Sequence, residues 1–189
     1  MSDDPRAAAL AAALRALAPM DEPERGAVEA TAALLARCSR PFDRDAQPAH
    51  VTASAICLGP RGVVLHRHRR VGAWLQPGGH VDPDEPPTLS AVRELAEETG
   101  VRARHLDPPL LVHVSVHGAP GGHVHHDCRW LLAAATEALA PARGESPDVA
   151  WCGPGTALAR CAPDLRGALE KSFAVARRLG LPAVASWRP

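Results

Sequence analysis

Aromatic side chains are scarce in this chain of 189 residues: two Phe, four Trp and no Tyr, 3% in all. The core must therefore be aliphatic, and few rings remain to stack on a planar ligand. Excess charge is missing as well. Lys and Arg total 21, Asp and Glu total 21, and the formal net charge is zero. This balance excludes bulk electrostatic attraction to nucleic acid or to an anionic membrane. No apolar run approaches the roughly 18 residues of a spanning helix. The five cysteines, Cys38, Cys57, Cys128, Cys152 and Cys161, contain no Cys-x-x-Cys pair. An odd, scattered set argues against a disulfide framework or a zinc cluster and fits reduced thiols in the cytoplasm. The start, Met1-Ser2-Asp3-Asp4-Pro5, is acidic where a signal peptide is basic.

What is present is 46% apolar residues, enough for one domain with extra helices. Leu10, Leu14 and Leu17 have helical spacing, and Asp21 with Glu24 makes a capping-box-like start for a second helix reaching about Cys38. Residues 1–47 are expected to form a helical extension that packs on the domain or on a second copy, giving a homodimer. Residues 48–189 form the domain. Strands are expected over 51–57 and 63–66, around the turn Gly59-Pro60-Arg61-Gly62, and then over 110–117, 123–135 and 148–152. The proline- and glycine-rich stretch 76–87 reads as loop. Helices are expected from about 87 to 99, stopped by Gly100, and from about 164 to 179, stopped by Gly180 and Pro182.

The chemistry concentrates between Gly79 and Val101, GHVDPDEPPTLSAVRELAEETGV. At about 100° per residue, Val92, Leu95 and Ala96 share a core face, while Glu94, Glu97 and Glu98 lie nearly opposite. Like charges at that spacing repel by only a few tenths of a kcal/mol, so an ordinary solvated face is one reading. The approach suggests another. Gly78-Gly79 permits backbone conformations closed to other residues, which lets a carbonyl point at a ligand. Glu85 adds a fourth carboxylate. Hard oxygen donors of this kind suit Mg²⁺ or Mn²⁺ rather than zinc, and carboxylate-held magnesium commonly accompanies a phosphate-bearing substrate.

The same segment resembles the Nudix hydrolase signature at every position: Gly79, Glu85, Arg93, Glu94, Leu95, Glu97, Glu98, Gly100 and Val101. The lead-in Trp74 to His80 and the later Trp151 also look like that family. The resemblance implies an α/β/α sandwich with a mixed sheet, and Mg²⁺- or Mn²⁺-dependent cleavage of a nucleoside diphosphate linked to another group. It implies Glu94, Glu98 and Glu97 as metal ligands with the Gly79 carbonyl. Arg93 would orient the carboxylates, and Glu85 would hold the loop or a second metal. Glu145 is a general-base candidate, with Asp148 and Asp127 as alternatives; Glu94 or Glu97 is another. A non-catalytic nucleotide-sensing domain is the competing function.

The segment His123 to Leu132 alternates by two, placing His123, His125, Asp127 and Arg129 on one face. That face reads as an exposed edge strand, as a substrate wall with Arg129 meeting phosphate, or as a His-His-Asp zinc site. Arg67, Arg69 and Arg70 with His66 and His68 form a basic patch that either meets phosphate or is plain surface. Trp74 either stacks a base or packs beneath the loop. A nucleotide, with no nucleic acid or membrane, is the expected partner.

Overall fold

Eleven residues, Ala49–Gly59, form the central strand β1, and their alternation sets the layers of the molecule. The structure is a computed structural model that describes residues 4–46, 48–119 and 121–181. Val51, Ala53, Ala55 and Cys57 point to one side of the sheet, and Ile56 and Leu58 to the other. The chain order is α1 (Pro5–Ala16), α2 (Glu22–Arg37), β1, β2 (Gly62–Arg67), β3 (Trp74–Leu75), β4 (Gly78–His80) and α3 (Pro87–Thr99). It continues through β5 (Ala103–Gly118), β6 (Val124–Ala134), β7 (Val149–Cys152), α4 (Pro154–Arg160) and α5 (Pro163–Arg178).

The seven strands form one mixed sheet of order β3-β2-β1-β6-β5, with β4 paired to β1 and β7 to β2. β1 and β6 run parallel with Ala53 opposite Cys128, and the other pairings are antiparallel. On one face, Leu10, Leu14 and Leu35 of α1 and α2 join Ala91 and Leu95 of α3 over Val51, Ala53, Cys128 and Trp130. On the other, Leu165, Leu169 and Phe173 of α5 cover Ile56, Leu58, Leu65 and Leu131. Helices on both sides of a mixed sheet make an α/β/α sandwich.

The first two helices pack against their own chain's sheet. Asp21 caps α2 by accepting from the Glu24 N–H, while the Glu24 carboxylate accepts from the Met20 N–H. Glu24 is buried and pairs with Lys171 Nζ of α5 at 2.6 Å, so the extension is tied across to the last helix. Thr31 Oγ1 lies 2.9 Å from His126 Nδ1 of β6.

Three local expectations change. β4 occupies part of the stretch read as loop, because its pairing to β1 compensates for the glycine content, and β3 just before that stretch pairs with β2. β5 begins at Ala103 rather than 110. α4 was not foreseen; Pro154 at its first turn after Gly153 is the signal that could have marked it. The hairpin residue Pro120 and the expected helix stop Pro182 lie outside the described residues. All five cysteines are free thiols. Among the described residues no helix is long and apolar enough to cross a membrane.

Candidate active site

α3 carries the acidic cluster, and its burial pattern revises the helical-wheel reading. Ser90, Ala91, Leu95, Glu98 and Thr99 are buried, whereas Leu89 is 55% exposed. The inner face is centred closer to the glutamates than apolar residues alone suggest. Glu98 points inward, Glu94 sits at the margin and Glu97 faces solvent. The helix stops at Gly100, in the left-handed region with φ 76°, where a Cβ would also strike the backbone of Ala140.

Gly79 lies in β4, opposite Ala53 of β1, and Gly78 is opposite Ser54. Neither has a positive φ among the described residues. The expected reason for glycine, a special backbone conformation, is replaced by a steric one. A Cβ on Gly79 would stand 2.5 Å from Glu94 Oε1 and 2.7 Å from its Cδ, so the carboxylate occupies the space a side chain would need. The neighbouring Gly78 N–H donates to Glu98 Oε2 at 2.8 Å. β4 and the inner edge of α3 therefore hold two carboxylates against one short piece of backbone.

Arg93 organises the rest. Its Nη1 donates to Glu94 Oε1 at 2.8 Å and to Glu97 Oε2 at 3.3 Å. Its Nη2 donates to Glu85 Oε2 and to the His80 carbonyl, both at 3.0 Å. Glu85 also accepts from Ser90 Oγ at 2.7 Å, fixing the loop before α3. Burial works against charge on Arg93, but its bonds to Glu85 and Glu94 outweigh this and keep it protonated. Burial raises Glu85 too, but Arg93 and Ser90 bring it below its usual value.

Glu98 has no such partner. Burial pushes its carboxyl up to about 8, opposed by the Gly78 N–H and reinforced by the charges of Glu94, Glu145 and Glu97. His66 Nε2 lies 3.6 Å away, but burial lowers His66 to about 4, so the ring is neutral and the contact is not a pair of charges. Burial also raises Glu94, against the pull of Arg93. The Arg93 guanidinium thus meets Glu85, Glu94 and Glu97 and leaves Glu98 without a cation. This excess of hard oxygen donors fits a divalent cation such as Mg²⁺ or Mn²⁺.

Glu145 belongs to the same electrostatic neighbourhood, since its charge acts on Glu98 and on His68. Its loop is fastened to α3: the Ala140 and Ala142 N–H groups donate to the Thr99 and Glu97 carbonyls, and Arg69 donates to the Gly144 carbonyl. Asp148 lies at the surface near Arg67. Asp127 is buried in another network.

β6 lies between β1 and β5, so it is not an exposed edge strand. Arg129 and Asp127 are 1% and 4% exposed, not solvent-facing. Arg129 Nε donates to Asp127 Oδ2 at 2.9 Å, and its Nη1 to the Asp164 carbonyl at 3.3 Å. Asp127 also accepts from Ser54 Oγ and Gln76 Nε2, each at 3.1 Å, and more distantly from Thr52. Thr52, Ser54 and Gln76 were not singled out as site residues. The clue available in the sequence was the small polar residues alternating along β1. Trp74 packs on the second core with Arg160 over its ring at 4.4 Å, so one face is occupied. Arg70 is exposed, and with His125 it lines a different cavity from the carboxylates.

Residues 48–171 match the family model of the NUDIX domain. A 49-residue segment is 45% identical to a CMP-5'-(N-acetyl-N-hydroxy-3-aminopropyl)phosphonate hydrolase from Streptomyces rubellomurinus, and the match spans 24% of each chain. The fold is similar to an Ap4A hydrolase from C. elegans (TM-score 0.58, 18% identity, 68% of this chain and 98% of that one). It is equally similar to the NUDIX domain of Shewanella oneidensis NrtR, solved with ADP ribose (TM-score 0.58, 20% identity, 78% and 97%). With more than half of its length matched, and with every signature residue placed around α3 and β4, the chain belongs to the NUDIX domain family.

Proposed function

We propose that the chain is a metal-dependent hydrolase that cleaves the diphosphate linkage of a nucleoside diphosphate joined to another group, by attack of water at phosphorus. The observation that carries this reading is the placement of Glu94 against Gly79 with Glu98 bonded to Gly78, leaving carboxylate oxygens in excess of the available positive charge. Glu94, Glu98 and Glu97, with the Gly79 carbonyl, would hold Mg²⁺ or Mn²⁺. When bound, the cation neutralises phosphoryl oxygens and lowers the pKa of water.

The chain's own groups perform the remaining tasks. Arg93 fixes the rotamers of Glu94 and Glu97 and ties them through Glu85 to the entry loop. Rigid carboxylates hold the reacting groups in line, which is most of what an enzyme does for phosphoryl transfer. Glu145, on its fastened loop, would accept the proton of the attacking water. The buried Asp127–Arg129 pair would act on the substrate site only by shaping its wall from beneath.

The test is product release from a panel with Mg²⁺: nucleoside triphosphates and their oxidised forms, ADP-ribose, dinucleoside polyphosphates, nucleotide sugars and a CMP-phosphonate ester, the class named for the Streptomyces relative. Wild type should cleave at least one, and Glu98→Gln should lose that activity by at least about a hundredfold. Equal behaviour of the two proteins on every compound would instead favour the non-catalytic nucleotide-sensing reading.

A further inference from the structure

Three histidines converge outside the carboxylate cluster. His50 of β1 is the direct parallel partner of His125 of β6, and His80 of β4 lies across from Thr52, two residues along the same face of β1. The sheet register alone therefore brings three rings together. Their centroids are 5.1 Å (His50–His80), 4.8 Å (His50–His125) and 5.2 Å (His80–His125) apart. One ring nitrogen from each lies within 4.8 Å of the others.

His50 is 1% exposed, and neither of its ring nitrogens has a hydrogen-bond partner within normal geometry. The backbone of Ala46 lies near enough to act on the ring electrostatically. A buried imidazole with nothing to bond is costly, by about 1–3 kcal/mol, unless a ligand completes it. The ring borders a cavity of about 240 Å³, lined also by His80, His123, His125, Arg44, Asp45 and Arg70. Burial is the largest influence on His50, His80 and His125 and lowers the pKa of each.

We infer that His50, His80 and His125 form a binding site for a borderline transition-metal ion of the Zn²⁺ class, separate from the carboxylate site. Three imidazoles suit Zn²⁺, Co²⁺ or Ni²⁺ and offer little to Mg²⁺. Metal–nitrogen distances of about 2.0–2.1 Å require tetrahedral ligand nitrogens about 3.3 Å apart. Side-chain rotation of His80 and His125, both only half-buried, closes the remaining gap. The fourth position opens on the cavity, where Arg44 and Arg70 favour water replacement by an oxyanion. His80 follows Gly79 directly, and its carbonyl holds Arg93. An ion bound here would stiffen β4, the strand against which Glu94 and Glu98 rest.

The test uses the full chain without a histidine tag. It is equilibrated with Zn²⁺ against a competing chelator, in saturating Mg²⁺, and bound zinc is measured by atomic absorption. About one Zn²⁺ per chain is expected, with affinity unchanged in Glu98→Gln. In His80→Asn and in His125→Asn the affinity should fall at least about a hundredfold, the upper figure for loss of even an outer partner. Co²⁺ substitution of wild type should give the visible absorption of a four-coordinate ion without a thiolate charge-transfer band. The inference is overturned by absence of bound zinc, by equal binding in both histidine variants, or by a thiolate or six-coordinate cobalt spectrum. The cobalt readout on wild type decides even if a variant misfolds, and none of these readouts depends on hydrolysis.

Discussion

Replacing Glu98 with Gln should stabilise the metal-free protein at alkaline pH. Glu98 is 8% exposed, and burial raises its carboxyl from the usual 4.5 to about 8. Below pH 4.5 the group is protonated in both the folded and the unfolded chain and costs nothing. As pH rises from 4.5 to 8, the unfolded chain releases the proton while the folded chain keeps it, so stability falls; above 8 the loss is complete. At 1.36 kcal/mol per pH unit, that interval sets an upper bound of about 5 kcal/mol. Water entry and side-chain relaxation should return more than half, leaving about 2 kcal/mol. Gln retains an oxygen for the Gly78 N–H and removes the charge. For a chain of this size, about 2 kcal/mol corresponds to a Tm higher by about 4–8 °C. The assay is thermal unfolding in EDTA from pH 5 to 9, for wild type and Glu98→Gln. The two should nearly coincide at pH 5 and diverge steadily to pH 8. Added Mg²⁺ should close the gap by stabilising wild type alone. A variant that is less stable than wild type at pH 8, or a gap independent of pH, would refute the claim that an uncompensated buried carboxylate is present.

Gly79→Ala should displace the Glu94 carboxylate by nearly 1 Å, because a Cβ would stand 2.5 Å from its Oε1; Mn²⁺ affinity by electron paramagnetic resonance should weaken, and turnover should fall about a hundredfold, while Tm changes little. Gly26→Ala, where a Cβ meets nothing within 4 Å, is the control and should raise helix stability by about 0.5–1 kcal/mol. Glu145→Gln should lower kcat by about 10²–10⁴-fold with Mn²⁺ affinity retained; equal losses in both would make it a ligand instead of a base. Lys171→Met should leave Glu24 buried without its cation and cost about 3–5 kcal/mol in urea unfolding, most of it recovered by adding Glu24→Gln.

The parts of the fold legible in the sequence were those governed by local rules. α3 begins and ends where Pro87 and Gly100 place it, and the strands carrying alternating apolar residues appear near their expected positions. The signature residues were legible because their spacing is fixed within one loop and one helix. What escaped depends on partners distant in sequence. β4 exists because β1 pairs with it, and nothing in Gly78-Gly79-His80 alone favours a strand. Arg129 could not be recognised as buried, because the Asp164 carbonyl at the start of α5, and the Ser54 and Gln76 groups that complete its partner Asp127, lie far away in sequence. The inward turn of Glu98 was hidden for a similar reason. A helical wheel assumes that the buried face is the apolar one, and here the Gly78 N–H supplies a polar wall.

β1 explains why so neutral a chain can hold such opposed sites. Its even-numbered face changes character halfway: His50, Thr52 and Ser54 are polar, while Ile56 and Leu58 are core. The apolar half is closed by α5, and the polar half must be satisfied by side chains from β4, β6 and Gln76. Because β4 runs beside that half, its two faces of chemistry are linked through consecutive residues: Gly78 and Gly79 receive the carboxylates of α3, and His80 joins the imidazoles. Hard oxygen donors and borderline nitrogen donors are thereby sorted onto the two sides of a three-residue strand, which would keep ions of different class apart without any net charge on the molecule. A single shift in β4 register would exchange those sides and disable both, so the short strand is held at both ends, by Gly78 to Glu98 and by the His80 carbonyl to Arg93.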